Sequence, residues 1–274
     1  MTKLAGRSAI VSGSGRGIGR AIAMKLAAEG AHVVVNDLDA GPAEETVHEI
    51  ESAGGVAVAV PGDVCDAGFA QQFVDAAVEQ FGGIDIIVNN AGYTWDNVLQ
   101  KMSDEQFQAM LDIHLVAPFR ILRAALPHIR KAVTAEEEVG RIVQRKVVNI
   151  SSTSGVYGNL GQINYAAGKA GIVGMTKTLA KEWGRYHVNV NAVAFGLIHT
   201  RLTQPLKGEQ ASIDVGGRDI RVGVRQERLD AAAKTVPLGR GGTPEEAAGA
   251  VYLLCTPEAD YINGQCIICD GGRV

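Results

Sequence analysis

A doubly wound parallel α/β sheet of seven strands is predicted from three features of this 274-residue sequence. Seven short apolar runs read as strands, helical stretches separate them, and a glycine-rich turn directly follows the first run. Such alternation lays the strands parallel and covers both faces of the sheet with helices. The length suits one sizeable core and nothing marks a second domain, so 1–274 is read as a single unit.

Taken in order, Ser8–Ser12 is the first strand, followed by Gly13-Ser-Gly-Arg-Gly-Ile-Gly19 and a helix ending near Glu29-Gly30. His32–Asp37 is the second strand, Pro42–Ala53 a helix, and Val56–Val60 the third strand. Asp66 is read as the cap of a helix that runs to Phe81 and stops at Gly82-Gly83. Ile84–Asn89 is the fourth strand. Ser103-Asp-Glu-Gln106 is a capping box opening a long helical region, expected to break near Pro118. Lys146–Ile150 is the fifth strand, and a helix is expected from about Gln162 to Trp183. Asn189–Phe195 is the sixth strand, Thr243-Pro-Glu-Glu246 starts a capped helix, and Gly264–Asp270 is the seventh strand.

Composition narrows the function classes. A net charge of −4 gives no nucleic-acid signature. No apolar run reaches the ~18 residues of a membrane span, and Met1–Arg7 leads straight into a strand without a cleavable signal. Cys65, Cys255, Cys266 and Cys269 read as reduced core thiols, since the last two fall in a strand where i and i+3 face opposite sides. No metal site is read from them, and a soluble cytoplasmic protein is expected.

The candidate chemistry centres on Ser152, Tyr165 and Lys169. Ser152 ends the fifth strand, where open α/β sheets place their ligands. Tyr165 and Lys169 stand one turn apart on one helix face. A tyrosine's ordinary pKa of ~10 is high for proton transfer at neutral pH, and a neighbouring ammonium is expected to lower it. A serine hydroxyl can hold a substrate carbonyl while the tyrosine gives or takes the proton. That equipment interconverts a ketone and an alcohol, given a hydride carrier alongside.

With Ser152 thirteen residues before a Tyr165-x-x-x-Lys169 pair, and a Gly13-x-x-x-Gly17-x-Gly19 loop between strand and helix, the sequence resembles the short-chain dehydrogenase/reductases. Asp63-Val64, Asn89-Asn-Ala-Gly92, Gly196-Leu-Ile-His-Thr200 and Asn263-Gly-Gln…Asp270-Gly-Gly272 fall in the family's order. The resemblance spans about Leu4 to Gly272 and implies a Rossmann-like fold. It also implies a cofactor site formed by Gly13, Arg16, Gly17, Ile18, Gly19, Asp37, Asp63, Val64, Asn90, Ala91, Gly92, Tyr165, Lys169, Gly196, Ile198 and Thr200. Ser152, Tyr165 and Lys169 are implied as the catalytic set. His114 occupies the place where the family usually has a proton-relay asparagine, and Phe195 replaces the usual proline before Gly196.

Asp37, ending the second strand, can accept hydrogen bonds from both adenosine ribose hydroxyls and repel a 2′-phosphate, so NAD is expected over NADP; Arg16 is the opposing cue. Similarity to β-ketoacyl carrier-protein reductases and to (3R)-hydroxyacyl-CoA dehydrogenases implies 3-oxoacyl or 3-hydroxyacyl thioesters on acyl carrier protein or CoA. Arg120, Arg123 and Arg130 share one side of a helix and could meet an acidic carrier, or form a plain solvated face. A polyol, steroid or xenobiotic alcohol dehydrogenase is the alternative, and a catalytically silent dinucleotide sensor the remote one. The family implies a homodimer or homotetramer. Insertions are expected near 131–145 and 204–235; in the latter Ile213-Asp-Val215 and Ile220–Val224 alternate around Gly216-Gly217 as a hairpin, followed by a short helix over Gln226–Lys234, and are read as a substrate lid.

Overall fold

The computed structural model describes residues 2–200, 212–215, 217–221, 227, 231 and 234–273. Strands β1 (Ser8–Val11), β2 (His32–Val35), β3 (Val56–Ala59), β4 (Ile86–Asn89), β5 (Arg145–Ser152) and β6 (Val188–Phe195) form one parallel sheet, completed by the last strand, Cys266–Cys269. A separate antiparallel hairpin pairs β7 (Ser212–Val215) with β8 (Arg218–Arg221), so the closing strand of the main sheet is β9. The sheet order is β3-β2-β1-β4-β5-β6-β9, seven strands as predicted. The order reverses between β1 and β4, which opens a crevice beyond their C-terminal ends.

Successive residues along each central strand feed opposite faces. Ile10, Val34 and Ile87 join one apolar cluster, whereas Ala9, Val11, Val33, Val35, Ile86 and Val88 join the other. Helices α1 (Gly17–Ala28) and α2 (Ala40–Ser52) cover the second cluster through Ile22, Leu26 and Ile50. Helices α3 (Phe69–Phe81), α4 (Asp104–Leu111) and α5 (Ala117–Glu138) cover the first through Phe73, Met110 and Ile121. A short α6 (Thr153–Tyr157) leads to α7 (Ile163–Trp183), whose Trp183 joins the first cluster, and α8 (Pro244–Cys255) closes the second with Val251 and Leu254.

Both capping boxes form: Ser103 with Gln106 starts α4, and Thr243 with Glu246 starts α8. Asp66 does not cap α3. The helix begins at Phe69 behind Gly68, and Asp66 contributes only its carbonyl to the Phe69 amide, because Asp63 to Asp66 already form a turn. The expected break at Pro118 is also displaced. A π-helical turn over Asp112–Val116 widens the backbone, and Pro118 then sits harmlessly in the first turn of α5, where no amide donor is needed. Of the four cysteines Cys255 alone is buried in the core; Cys65 is half-buried, and so are Cys266 and Cys269, since β9 is an edge strand whose Ile267 and Ile268 are also exposed. All four cysteines are free thiols.

The segment 131–145 continues α5 to Glu138, turns at Gly140 and enters β5. One ion pair fixes this return. The buried Arg145 guanidinium donates to both Glu136 oxygens, at 2.7 and 3.0 Å, and through Nε to the Ile84 carbonyl at 3.1 Å. Glu136→Ala leaves the buried cation without its main partner, so we expect a loss of about 3 kcal/mol in urea unfolding. An unchanged midpoint would show the pair to be neutral. Among the described residues, no helix is long and apolar enough to cross a membrane.

Candidate active site

The crevice is a cavity of about 880 Å³. The glycine loop forms one end of it. Gly13 and Gly17 hold φ of +62° and +56°, a region that disfavours side chains. At Gly19 a Cβ would lie 2.1 Å from the Gly13 carbonyl oxygen, so only glycine lets α1 approach the turn this closely. The α1 N-terminus carries neither a capping side chain nor an acidic residue in its first turn, leaving its amides available to a pyrophosphate.

The ends of β1, β2 and β4 are laced together by side chains. Ser12 Oγ accepts from the Asn90 and Ala91 amides, at 3.0 and 3.1 Å, and Asn90 Nδ2 donates to the Ser12 and Gly13 carbonyls. The buried Asn36 accepts from the Gly13 amide at 3.0 Å and donates to the Val60 and Gly62 carbonyls. It thereby holds the glycine loop against the turn that carries Asp63 and Val64. Asp37, next along, presents a mostly buried carboxylate to the cavity. Arg16 Nη1 donates to Asp37 Oδ1 at 3.3 Å, and Nη2 to Asp39 Oδ2 at 2.9 Å.

At the other end, Ser152 caps α6 by accepting from the Ser154 amide at 3.1 Å, and its hydroxyl lines the cavity together with Tyr165. Phe195 pairs with Ser152 on one side and Cys269 on the other; its amide is part of a strand in which a proline would lack a donor. Small residues bring the helices close. A Cβ on Gly155 would lie 2.5 Å from the Lys169 carbonyl carbon, and one on Gly168 3.0 Å from His114 Cβ. Lys169 Nζ donates to the Ile150 carbonyl at 2.7 Å and lies 5.7 Å from the Tyr165 ring centroid.

The expected lowering of the Tyr165 pKa is not found. Burial pushes it up to about 12, with the Ser152 hydroxyl acting downward and the Asp96 charge upward. Burial also brings Lys169 down from 10.5 to about 7, so its ammonium is only partly populated at neutral pH and exerts a weaker field. The desolvation that encloses both groups outweighs their mutual electrostatics.

His114 lies within the π-helical turn, 2% exposed, its ring edge-on to Tyr165 with centroids 4.9 Å apart. Its Nε2 is 2.8 Å from the Tyr93 carbonyl and therefore carries the proton; Nδ1 is then an acceptor and has no partner among the described residues. Burial, followed by the Lys169 charge, holds the imidazole pKa well below its usual value, so the ring is neutral.

Every residue of the expected cofactor and catalytic sets lines this one cavity: Gly13, Arg16, Gly17, Ile18, Gly19, Asp37, Asp63, Val64, Asn90, Ala91, Gly92, His114, Ser152, Tyr165, Lys169, Gly196, Ile198 and Thr200. A cavity with a glycine cradle and open helix N-terminus at one end, and a hydroxyl pair with a lysine at the other, fits an extended dinucleotide.

Sequence reasoning missed a polar hub beside the start of α7. Gln162 accepts from Ser154 Oγ and Asn159 Nδ2, both at 2.9 Å, and donates to Asp96 Oδ2 at 2.8 Å. The buried Asn164 donates to the Trp95 and Gln106 carbonyls and accepts from the Tyr165 amide. The cue was present, since polar residues flank Tyr165 where a buried helix start has amides to satisfy. Arg120, Arg123 and Arg130 do not act as one group: Arg120 donates to the Cys65 carbonyl, Arg123 stacks on Phe119, and Arg130 lies over Tyr186. Among the described residues no cluster of His, Cys, Asp or Glu could hold a metal ion.

Comparison with known proteins covers the whole chain. A family profile described as Enoyl-(Acyl carrier protein) reductase matches residues 13–273. A protein named 3-oxoacyl-(acyl-carrier-protein) reductase from Synechocystis sp. is 40% identical over 276 residues, covering 100% of this chain and 99% of that protein. The 3-oxoacyl-(acyl-carrier-protein) reductase FabG of Thermotoga maritima is 35% identical, with 99% of each chain covered. The short-chain reductase protein NovJ of Streptomyces niveus is 40% identical, covering 97% of this chain and 93% of its own. The crystal structure of a dehydrogenase/reductase from Sinorhizobium meliloti 1021 superposes with a TM-score of 0.83 at 30% identity, covering 99% of this chain and 96% of that one.

Proposed function

The chain belongs to the short-chain dehydrogenase/reductase family of nicotinamide-dinucleotide oxidoreductases, and on that premise we propose that it reduces the 3-oxo group of acyl thioesters to a 3-hydroxyl. The observation that carries this reading is that Ser152, Tyr165 and Lys169, one turn behind, line one cavity whose far end is a glycine cradle. Two hydroxyls lining one cavity suit a ketone oxygen that becomes an alkoxide. The names of full-length relatives at 35–40% identity favour the acyl-thioester class, with acyl carrier protein as its bearer.

When bound, the dinucleotide supplies or accepts a hydride at its nicotinamide ring. Ser152 Oγ holds the substrate oxygen, and Tyr165 Oη gives its proton to it as negative charge develops. Lys169 Nζ, behind the tyrosine, supplies positive charge in its ammonium form and a path for proton replacement. His114 is assigned an accepting role at Nδ1, steadying a water or the tyrosine region rather than exchanging charge. The matched profile's description also raises reduction of an enoyl thioester, where the same pair would polarise the thioester carbonyl. Turnover of acetoacetyl and longer 3-oxoacyl thioesters, set against the matching 2-enoyl thioesters, steroids and simple ketones, decides. Reduction of the enoyl substrates alone overturns the proposal.

The hairpin β7–β8 is assigned to a lid over the acyl site. Its Ile220 is fully buried within the same apolar cluster to which Tyr93, Trp95 and Tyr165 belong. The helix expected at 226–234 falls largely outside the described residues. A cytoplasmic homodimer or homotetramer remains our reading, with the exposed Ile267 and Ile268 of edge strand β9 and Phe119 of α5 available for subunit contacts.

NAD is the cofactor we assign. The Asp37 carboxylate occupies the ribose end of the cradle, and Arg16, which could have met a 2′-phosphate, is already paired with carboxylates. Asp37→Ala is expected to shift preference toward NADP(H) by roughly 1.4–3 kcal/mol, tenfold or more in relative kcat/KM. Equal efficiency with both cofactors in the unaltered enzyme would refute the assignment.

The titration of Tyr165 sets a further expectation. With its pKa pushed up to about 12, the phenol is protonated throughout the neutral range and ready to donate. Alcohol oxidation needs it deprotonated, so kcat/KM for oxidation should rise by up to about tenfold per pH unit between pH 6 and 10. Reduction should not rise over that range, and should decline as Lys169 loses its charge above about 7. Matched pH profiles in the two directions test this, and a flat oxidation profile contradicts it.

A further inference from the structure

The end of β2 carries two carboxylates, and both are joined to one guanidinium. Arg16 precedes the first turn of α1 in extended conformation, φ −148°, and its side chain makes no cap. It reaches over the end of β2, with Nη1 3.3 Å from Asp37 Oδ1 and Nη2 2.9 Å from Asp39 Oδ2. The turn is built to keep the two carboxylates together, because the Asp39 amide donates to Asp37 Oδ1 at 3.2 Å. On its other side Asp37 is pressed by the glycine loop; a Cβ on Gly15 would lie 2.6 Å from Asp37 Oδ2. Asp37 is therefore fixed by packing, with its side chain 10% exposed, whereas Asp39 is 59% exposed and holds Arg16 from the solvent side.

We propose that Asp39 is a cofactor-selecting residue that acts through Arg16, latching the guanidinium between two carboxylates so that it is withheld from a 2′-phosphate. This rests on the reading that the cavity holds a nicotinamide dinucleotide. The local charge explains the selection. Two carboxylates and one guanidinium leave a net negative site, and a phosphate carrying close to two further negative charges is repelled by it. The uncharged 2′-hydroxyl of NADH brings no such conflict and can donate to Asp37. Removing the outer carboxylate frees Nη2, brings the local charge to zero and allows Arg16 to turn toward the phosphate, for which a planar guanidinium is the best-suited side chain. Asp37 alone repels a phosphate; Asp39 additionally disarms the Arg16 guanidinium that would attract it.

The test is calorimetric binding of NADPH and NADH to the full-length protein in four forms: unaltered, Asp39→Asn, Arg16→Ala, and the double variant. Asp39→Asn should lower the ratio of NADPH to NADH dissociation constants by about fivefold at low salt, chiefly through tighter NADPH binding, and by less at high salt, where exposed charges are screened. In the Arg16→Ala background the same substitution should change the ratio by less than about twofold, since no guanidinium remains to release. An unchanged ratio in Asp39→Asn overturns the latch. So does an equal shift with and without Arg16, which would make Asp39 a simple repelling charge. Failure of every form to bind either dinucleotide would instead overturn the cofactor reading on which the latch stands.

Discussion

Tyr165→Phe is expected to lower kcat for ketone reduction by about a thousandfold or more, the scale of a lost general acid together with a lost oxyanion donor. The substitution removes one oxygen and little else. The ring keeps its edge-on contact with His114, 4.9 Å between centroids, and its place near Lys169 Nζ. Asn164 still receives the residue-165 amide at 2.8 Å, so the start of α7 holds its position. What disappears is the hydroxyl assigned to give its proton to the substrate oxygen. Dinucleotide affinity, read by quenching of Trp95 and Trp183 fluorescence or by calorimetry, should change far less than turnover. Residual activity above about 1% would mean that Ser152 or a water can protonate the substrate unaided, and the assigned role would fall.

The fold was legible wherever a local pattern carried it. Val33-Val-Val35 and Ile86-Ile-Val88 are apolar runs that suit a strand buried on both faces, and the two capping boxes are short-range chemistry that the structure reproduces atom for atom. Asp66 misled because a capping side chain in sequence does not reveal that the preceding Asp63 has already claimed the turn. The π-helical turn at Asp112–Val116 has no sequence signature; it places His114 between Gly92 and Gly168, two glycines more than fifty residues apart. The candidate site was equally legible in the residues named for cofactor and catalysis, which share one cavity, whereas the motif Asn263-Gly-Gln…Asp270-Gly-Gly272 lies outside it. Its electrostatics were not. Spacing puts Lys169 beside Tyr165, but the sign and size of their influence depend on how much water the fold removes from each, and that is fixed by residues as distant as Ile150 and Asp96. The pairing of Arg16 with Asp39 is invisible for the same reason, since it arises only when β2 and the glycine loop are packed together.

Lys169→Met is expected to abolish turnover and at the same time to stabilise the free protein. Lys169 is 4% exposed, and burial alone brings its pKa from 10.5 to about 7. The unfolded chain therefore holds a proton on this lysine between pH 7 and 10.5 that the folded chain gives up, so the unfolded state is favoured there by proton uptake. That penalty is largest at and below pH 7, on the order of 4 kcal/mol, shrinks as pH rises, and vanishes above about 10.5. Methionine fills similar volume without a charge to desolvate, and forfeits only the hydrogen bond from Nζ to the Ile150 carbonyl, at roughly 1–2 kcal/mol. The net gain near pH 7 is about 2 kcal/mol, which for a chain of this size raises Tm by roughly 4–8 °C. The measurement is Tm of both proteins from pH 6 to 10 without added dinucleotide. The advantage of the methionine variant should be greatest at the acid end and narrow steadily toward pH 10. A gap that does not vary with pH, or an unaltered protein that is the more stable at pH 7, would show that Lys169 is not held as a strained buried base. The residue that completes the proton path would then carry no cost in folding, and its low pKa could not be what readies it to exchange a proton near neutrality.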